Sequence, residues 1–246
     1  MKVLLTATVT PQVTRSLHLK EPLERRRQYV ESLRVWVPVT ARHGATLVVF
    51  ENSGEDLAAL ARDAVGAIPA HLCLVNAEPP SEEDVKRGKG AAEAAMMDEF
   101  AEMMFGDPDE LWFKCTGRLS VRNFDKCIPG RIPSTAIVGR TRVNMLQMDT
   151  RFFGATAAAW HEYFRGVGPC VHERDGQIIE RILMQRVLSA MSAGVPLIRF
   201  RTQPSFHGRS GTWAGRRYDT MPSRLKRVGA DQLERVLRSQ LATKFY

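Results

Sequence analysis

The chain has 246 residues, 44% of them hydrophobic, and a formal net charge of +8. That length suits one large domain or two small ones, and the composition is that of a globular protein. No apolar run approaches the roughly 20 residues needed to span a bilayer, which excludes a helical membrane span, and the basic balance favours an anionic partner: nucleic acid, a lipid surface or a phosphorylated substrate. The charge is concentrated in Arg25–Arg27 and Arg199–Arg227, so a local anion site plus a basic tail fits better than a uniform coat.

Val3–Val9, closed by Thr10-Pro11, reads as a first strand ending in a turn. The amino terminus enters this strand directly, without the long apolar segment of a signal peptide. Glu21–Val37 has helical spacing, and Thr46–Phe50 is a second buried strand ending at Glu51-Asn52-Ser53-Gly54. Ser53 is placed to cap a helix over Glu55–Val65. His71–Val75 is a third strand, Pro79–Asp84 is turn-rich, Gly88–Phe105 is a strong helix, and Leu111–Cys115 is a fourth strand. Four strands with a helix in each gap predict an α/β fold: a mostly parallel central sheet with helices on both faces.

The second half is less regular. Thr135–Val138 and Asn144–Met148 read as strands, Ala157–Phe164 and Gly176–Ala193 as helices, and Val195–Phe200 as a last strand. Arg201–Tyr218 reads as a functional loop, and Ala230–Leu241 as a basic amphipathic helix. No repeat or low-complexity linker interrupts the chain, so a single domain over residues 1–246 is expected. Cys73, Cys115, Cys127 and Cys170 are widely spaced and read as reduced, mostly buried residues of a cytosolic protein.

The chemistry centres on Phe113-Lys114-Cys115-Thr116-Gly117-Arg118, a strand that delivers a Thr-Gly turn between two cations. In an open α/β sheet ligands lie beyond the carboxyl ends of the strands. The strand ends Thr6-Ala7-Thr8, Glu51-Asn52-Ser53 and Thr116-Gly117-Arg118 are therefore expected to line one edge. Lys114 and Arg118 there suit a phosphate or diphosphate. In Lys86–Glu93, Lys89 and Gly90 open a helix whose amino end attracts anions. Asp149 is a metal ligand, a sugar-hydroxyl acceptor or the partner of Arg151. Glu173 and Glu180 are candidates for a general base, and His207, Arg209 and Ser210 sit on a glycine loop fit to cover a phosphate. Asp107-Pro108-Asp109 lies at the wrong end of the fourth strand and reads as a solvated loop. The chain has no Gly-x-Gly-x-x-Gly after its first strand, no Gly-Lys-Ser/Thr loop and no Gly-x-Ser-x-Gly. This disfavours a dinucleotide fold, a P-loop NTPase and a serine hydrolase.

In their order along the chain, these segments resemble nucleotide-sugar-dependent glycosyltransferases of the GT-A fold, and more narrowly a bacterial group from capsule and lipopolysaccharide biosynthesis. The residues are Leu4–Thr8 with Pro11, Arg27-Gln28-Tyr29, Ser32-Leu33, Phe50–Gly54, Lys89-Gly90 with Glu93, Phe113–Arg118, Asp149–Phe153 and Pro204–Gly211. The resemblance, which runs over most of residues 2–218, implies a Rossmann-like donor half over residues 1–122 and an acceptor half over 123–218; beyond it, 219–246 reads as a basic helix whose apolar stripe suits an anionic membrane surface, a partner or the domain's own core. It implies a nucleotide-sugar donor, a glycan or lipid-linked acceptor and a cytoplasmic location; the basic carboxy-terminal stretch adds an expected peripheral contact with an anionic membrane, and the lack of a recognised nucleic-acid motif leaves no nucleic acid expected. The wider group binds a divalent metal through Asp-x-Asp after the fourth strand, where this chain has Thr116-Gly117-Arg118. No cofactor is then required, or Mn²⁺ or Mg²⁺ is held by Asp149. By order along the chain Glu180 falls nearest the base position, with Glu173 in reserve and Asp149 as another proton acceptor. A nucleotidyltransferase on a similar sheet and a non-enzymatic nucleic-acid-binding module are the competing expectations.

Overall fold

The computed structural model describes residues 1–13, 17–104, 106–209, 217–218, 220, 228–229 and 231–232. Ser210 and most of the expected carboxy-terminal helix lie outside the described residues. In chain order the elements are β1 (Lys2–Ala7), α1 (Pro22–Arg42), β2 (Thr46–Glu51), α2 (Leu57–Val65), β3 (Leu72–Asn76), α3 (Glu82–Arg87), α4 (Lys89–Met104) and β4 (Leu111–Thr116). There follow β5 (Ser120–Val121), α5 (Phe124–Cys127), β6 (Ile137–Val138), β7 (Phe152–Thr156), α6 (Ala157–Ala159) continuing into a π turn over Trp160–Phe164, α7 (Ile179–Ser192), β8 (Leu197–Ile198) and β9 (Phe206–His207).

The fold is α/β. A seven-stranded sheet runs in the order β3-β2-β1-β4-β7-β6-β8, and β5 pairs with β9 in a small second sheet. Strands β1 to β4 are mutually parallel, and β7 runs antiparallel to both β4 and β6. Side chains alternate across the sheet with a period of two. Val3, Leu5, Leu47, Val49, Phe113 and Cys115 share a core with α1 and α2. Leu4, Val48, Phe50 and Trp112 face Met96 and Phe100 of α4 on the other side. Further along that second face, Ile137, Phe153 and Ala155 pack on α4 and α7. Lys114 and Thr6 take their place on the α4 face by the same alternation.

Several local expectations change. Asp56 caps α2, its carboxylate accepting from Ala59 N at 2.9 Å; the Ser53 hydroxyl instead donates to Glu51. The expected turn at 79–84 leads into α3, whose start carries a reciprocal capping box between Ser81 and Asp84. Asn144–Met148 is not a strand. It forms a tight hairpin closed by a Thr141↔Met148 bridge, with Met145 at φ 54°. The strand lies later, at β7, where Phe152 and Phe153 alternate into opposite cores. All four cysteines are free; Cys115 and Cys127 are buried and Cys170 is exposed. Burial pushes the Cys115 thiol up to about 12.

Candidate functional site

Strand order reverses at β1, with β2 on one side and β4 on the other, and a crevice opens at such a point beyond the carboxyl ends. The chain folds tightly there because Gly117 N donates to Thr6 O at 2.9 Å. A Cβ on Gly117 would stand 2.7 Å from that same carbonyl oxygen, so only glycine lets the β4 turn lie this close to β1. Thr8 Oγ1 donates to Asn52 Oδ1 at 2.6 Å and Thr10 N to Ser53 Oγ at 2.9 Å, joining the β1 and β2 ends. Thr6–Thr8, Glu51–Ser53 and Thr116–Arg118 thus stand along one edge.

Not all of them face outward. Glu51 is fully buried; its carboxylate accepts from Val9 N at 3.0 Å, Ser53 N at 2.9 Å, Glu55 N at 3.1 Å and the Ser53 hydroxyl. Ala7 and Asn52 are buried beside it, leaving Thr8 and Ser53 half-buried at the rim. Arg25 on α1 clasps the loop from below, donating to Thr8 O at 2.9 Å, Val9 O at 3.1 Å and Leu19 O at 3.2 Å. Arg26 pairs with Glu55 at 2.6 Å and Asp63 at 2.7 Å. Within Arg25–Arg27, Arg25 therefore supplies a structural clasp and Arg26 two ion pairs, where the sequence pointed to a free anion site.

Lys114 also sits behind the rim. It is 0% exposed. Its ammonium pairs with Glu93 of α4 and donates to Thr150 O at 2.9 Å. Thr6 Oγ1 donates to Glu93 Oε1 at 3.3 Å. Burial is the largest single influence on Glu93 and opposes its ionisation, but the charge and hydrogen bond of Lys114, the Thr6 hydroxyl and the Lys89 charge together outweigh it and hold the carboxyl below its usual range. The cation that the sequence assigned to a phosphate is bound within the protein, because strand alternation points it into the α4 core.

The same network reaches the candidate bases. Met148 N donates to Glu180 O at 3.0 Å, and Thr150 Oγ1 makes a long contact of 3.5 Å with Glu180 Oε1. Burial pushes the Glu180 carboxyl above the usual carboxylate range, and the Glu93 and Glu173 charges push the same way. Glu173 has a different position. Its carboxylate accepts from Gly90 N at 3.0 Å, at the amino end of α4. A Cβ on Gly90 would lie 2.9 Å from Glu173 Oε1, and one on Gly88 2.5 Å from Oε2. Those glycines make room for a carboxylate of the chain itself at the place where the sequence suggested a phosphate.

Asp149 is the partner of Arg151, which grips it from Nε at 2.8 Å and from the second guanidinium arm at 2.6 Å. Burial works against the Asp149 charge, yet Arg151 outweighs it and holds the carboxyl below its usual range. The Arg151 guanidinium lies over the rings of Phe206 and Tyr218, at 4.4 and 4.9 Å. Arg118 is 9% exposed; one arm donates to Arg209 O at 3.3 Å, and its buried Nε has no hydrogen-bond partner among the described residues. His207 Nδ1 contacts Arg122 at 2.9 Å, and Arg209 pairs with Glu24 of α1 at 3.0 Å. Both side chains are thereby engaged by other residues of the chain.

Among the described residues no group of three or more His, Cys, Asp or Glu is placed to hold a metal ion. The turn after β4 offers a hydroxyl, a glycine and a guanidinium, and Asp149 is engaged by Arg151. This donor set does not fit a divalent cation. Thr150 and the clasp role of Arg25 were missed from sequence. Thr150 stands between two singled-out residues, but only the pairing of β4 with β7 shows that its carbonyl meets Lys114.

No family model matches the chain, and no curated protein matches it. Solved structures are similar at low identity. The galactosyltransferase LgtC, in complex with donor and acceptor sugar analogs, has a TM-score of 0.47 and 10% identity, covering 80% of this chain and 73% of that one. A protein of Desulfovibrio desulfuricans G20 assigned as a nucleotide-diphospho-sugar transferase has a TM-score of 0.44 and 11% identity, covering 80% and 78%. The inositol-1-phosphate CTP transferase of T. maritima has a TM-score of 0.43 and 13% identity, covering 81% and 84%.

Proposed function

We propose that the protein transfers a sugar from a nucleotide-sugar donor to an acceptor hydroxyl. The observation that carries this reading is the arrangement of one sheet edge. It presents a buried guanidinium, Arg118, whose Nε has no hydrogen-bond partner among the described residues, at the β1/β4 reversal, and a desolvated carboxylate, Glu180, attached to the same edge through Thr150. In this reading the donor diphosphate lies against Arg118 and the Thr116–Gly117 turn, with Thr8 and Ser53 on its nucleoside side. Glu180 takes the proton of the acceptor hydroxyl as that oxygen bonds to the anomeric carbon. The bond from the anomeric carbon to the phosphate oxygen breaks, and the nucleoside diphosphate leaves with the electron pair. Arg118 stabilises the charge that develops on it. Raising a carboxyl towards neutrality suits it to accept that proton.

The acceptor proposed is a hydroxyl of a cell-envelope glycan or its lipid-linked precursor, of the capsule or lipopolysaccharide type, met at the cytoplasmic face of the membrane. No helix among the described residues is long and apolar enough to cross a membrane. The contact proposed with such an acceptor is peripheral. The test incubates the protein with a panel of nucleotide sugars and a panel of nucleoside triphosphates with sugar phosphates, each with Mn²⁺ and with EDTA. Release of a nucleoside mono- or diphosphate from the first panel is expected. Release of pyrophosphate from the second alone replaces this reading with nucleotidyl transfer.

A further inference from the structure

A lysine with no exposed surface cannot touch a substrate, yet Lys114 occupies the end of the central strand of the proposed site. Its ammonium bonds two groups on different elements: the Glu93 carboxylate on α4 and the Thr150 carbonyl just before β7. The segment that carries Thr150 is tied to the first turn of α7 twice, by Met148 N to Glu180 O and by the Thr150 hydroxyl to the Glu180 carboxylate.

We propose that Lys114, braced by Glu93, is a positioning residue that acts through Thr150 to hold the Glu180 carboxylate in place. The role of Glu180 as base rests on the sugar-transfer reading; the bracing is a property of the fold. An apolar side chain could fill the same core space without needing a buried partner, and buried ion pairs often cost more than they return. What an apolar residue could not do is grip the Thr150 carbonyl. Groups that take part in proton transfer must be held to about half an ångström, and an ångström of misplacement costs on the order of 10²-fold in rate. The charged groups facing Glu180 are Glu93 and Lys89 from α4 and Glu173 from the 3₁₀ turn before α7, with Lys114 behind Thr150. Arg181, next to it on α7, donates to Gly176 O. In this setting a Thr150 hydroxyl donated to Glu180 favours the charged carboxylate, against burial and against the two glutamates.

The test is an NMR titration of the Glu180 carboxyl carbon, assigned by its loss in Glu180→Gln, together with pH–rate profiles. The variants are Thr150→Val, Thr150→Ser and the charge-free double Lys114→Met/Glu93→Gln, with Thr150→Val repeated in the double background. Thr150→Val is expected to move the Glu180 titration upward and to lower kcat by roughly ten- to a hundredfold with donor KM unchanged. Thr150→Ser should restore both. In the Lys114→Met/Glu93→Gln background Thr150→Val should move nothing further, because Thr150 is no longer held. If Thr150→Val shifts the titration equally in both backgrounds, or in neither, the bracing role is overturned. Failure of the wild type to transfer sugar from any donor defeats the sugar-transfer reading alone, since the titration is read without turnover.

Discussion

Replacing Lys114 with Met removes a fully buried ammonium, leaving the Glu93 carboxylate with the Thr6 hydroxyl but no cation and the Thr150 carbonyl without its Lys114 donor. Breaking a buried pair by removing one partner costs about 3–5 kcal/mol. The Glu93 side chain retains 27% of its exposure and can draw on water, which places the loss near the lower end, about 3 kcal/mol. The stranded carbonyl adds about 1 kcal/mol. For a chain of this size each kcal/mol moves Tm by roughly 2–4 °C, so a fall of roughly 10 °C is expected in a thermal melt near neutral pH. Adding Glu93→Gln should recover more than half of it, because the cost is mostly an uncompensated charge. The pH dependence has a definite sign. In the wild type the depressed Glu93 carboxyl contributes stability that is present above its unfolded pKa and is lost as pH falls through its folded pKa. Without Lys114, burial instead pushes Glu93 upward, so it accepts a proton at mild acidity and the gap between variant and wild type narrows there. A fall below about 3 °C, roughly 1 kcal/mol on the same scale, or a gap that widens on mild acidification, would refute the reasoning.

Glu180→Gln should abolish transfer yet raise Tm at neutral pH. A carboxyl raised in the folded state costs stability once pH exceeds its folded pKa, and a melt that falls at neutral pH would count against the burial of its charge. Gly117→Ala should destabilise by about 1–3 kcal/mol in a denaturant titration, because its Cβ would meet backbone rather than a side chain that can yield. Arg118→Lys should lose on the order of 10²–10³ in turnover despite its retained charge, since an ammonium cannot reproduce a guanidinium's two-point grip. Gly90→Ala should push the Glu173 carboxylate off the start of α4, seen as faster exchange of the residue-90 amide.

The parallel half of the sheet was legible because its strands are short apolar runs separated by helical periodicity. The register that sets Thr6, Asn52 and Gly117 on one edge follows from that alternation. The antiparallel strand was not. Phe152 and Phe153 are both apolar because each side of β7 is buried, so period-two alternation is lost. The site was half legible. Lys114, Glu93, Thr6 and Glu180 stood out as separate residues, and the structure joins them. Whether a lysine faces solvent or core depends on strand parity relative to α4, which pairing decides and local sequence does not. Gly88 and Gly90 illustrate the same point: a glycine pair at a helix start signals a close approach without saying whether a phosphate or Glu173 makes it.

The central claim is that a donor diphosphate binds at the β1/β4 reversal against Arg118. A crystal structure of the protein with a nucleoside diphosphate tests this directly. The account predicts phosphate oxygens within hydrogen-bonding distance of Arg118 Nε and the Thr116–Gly117 turn, with Lys114 still paired to Glu93. Phosphates bound elsewhere, with Arg118 untouched, would contradict it.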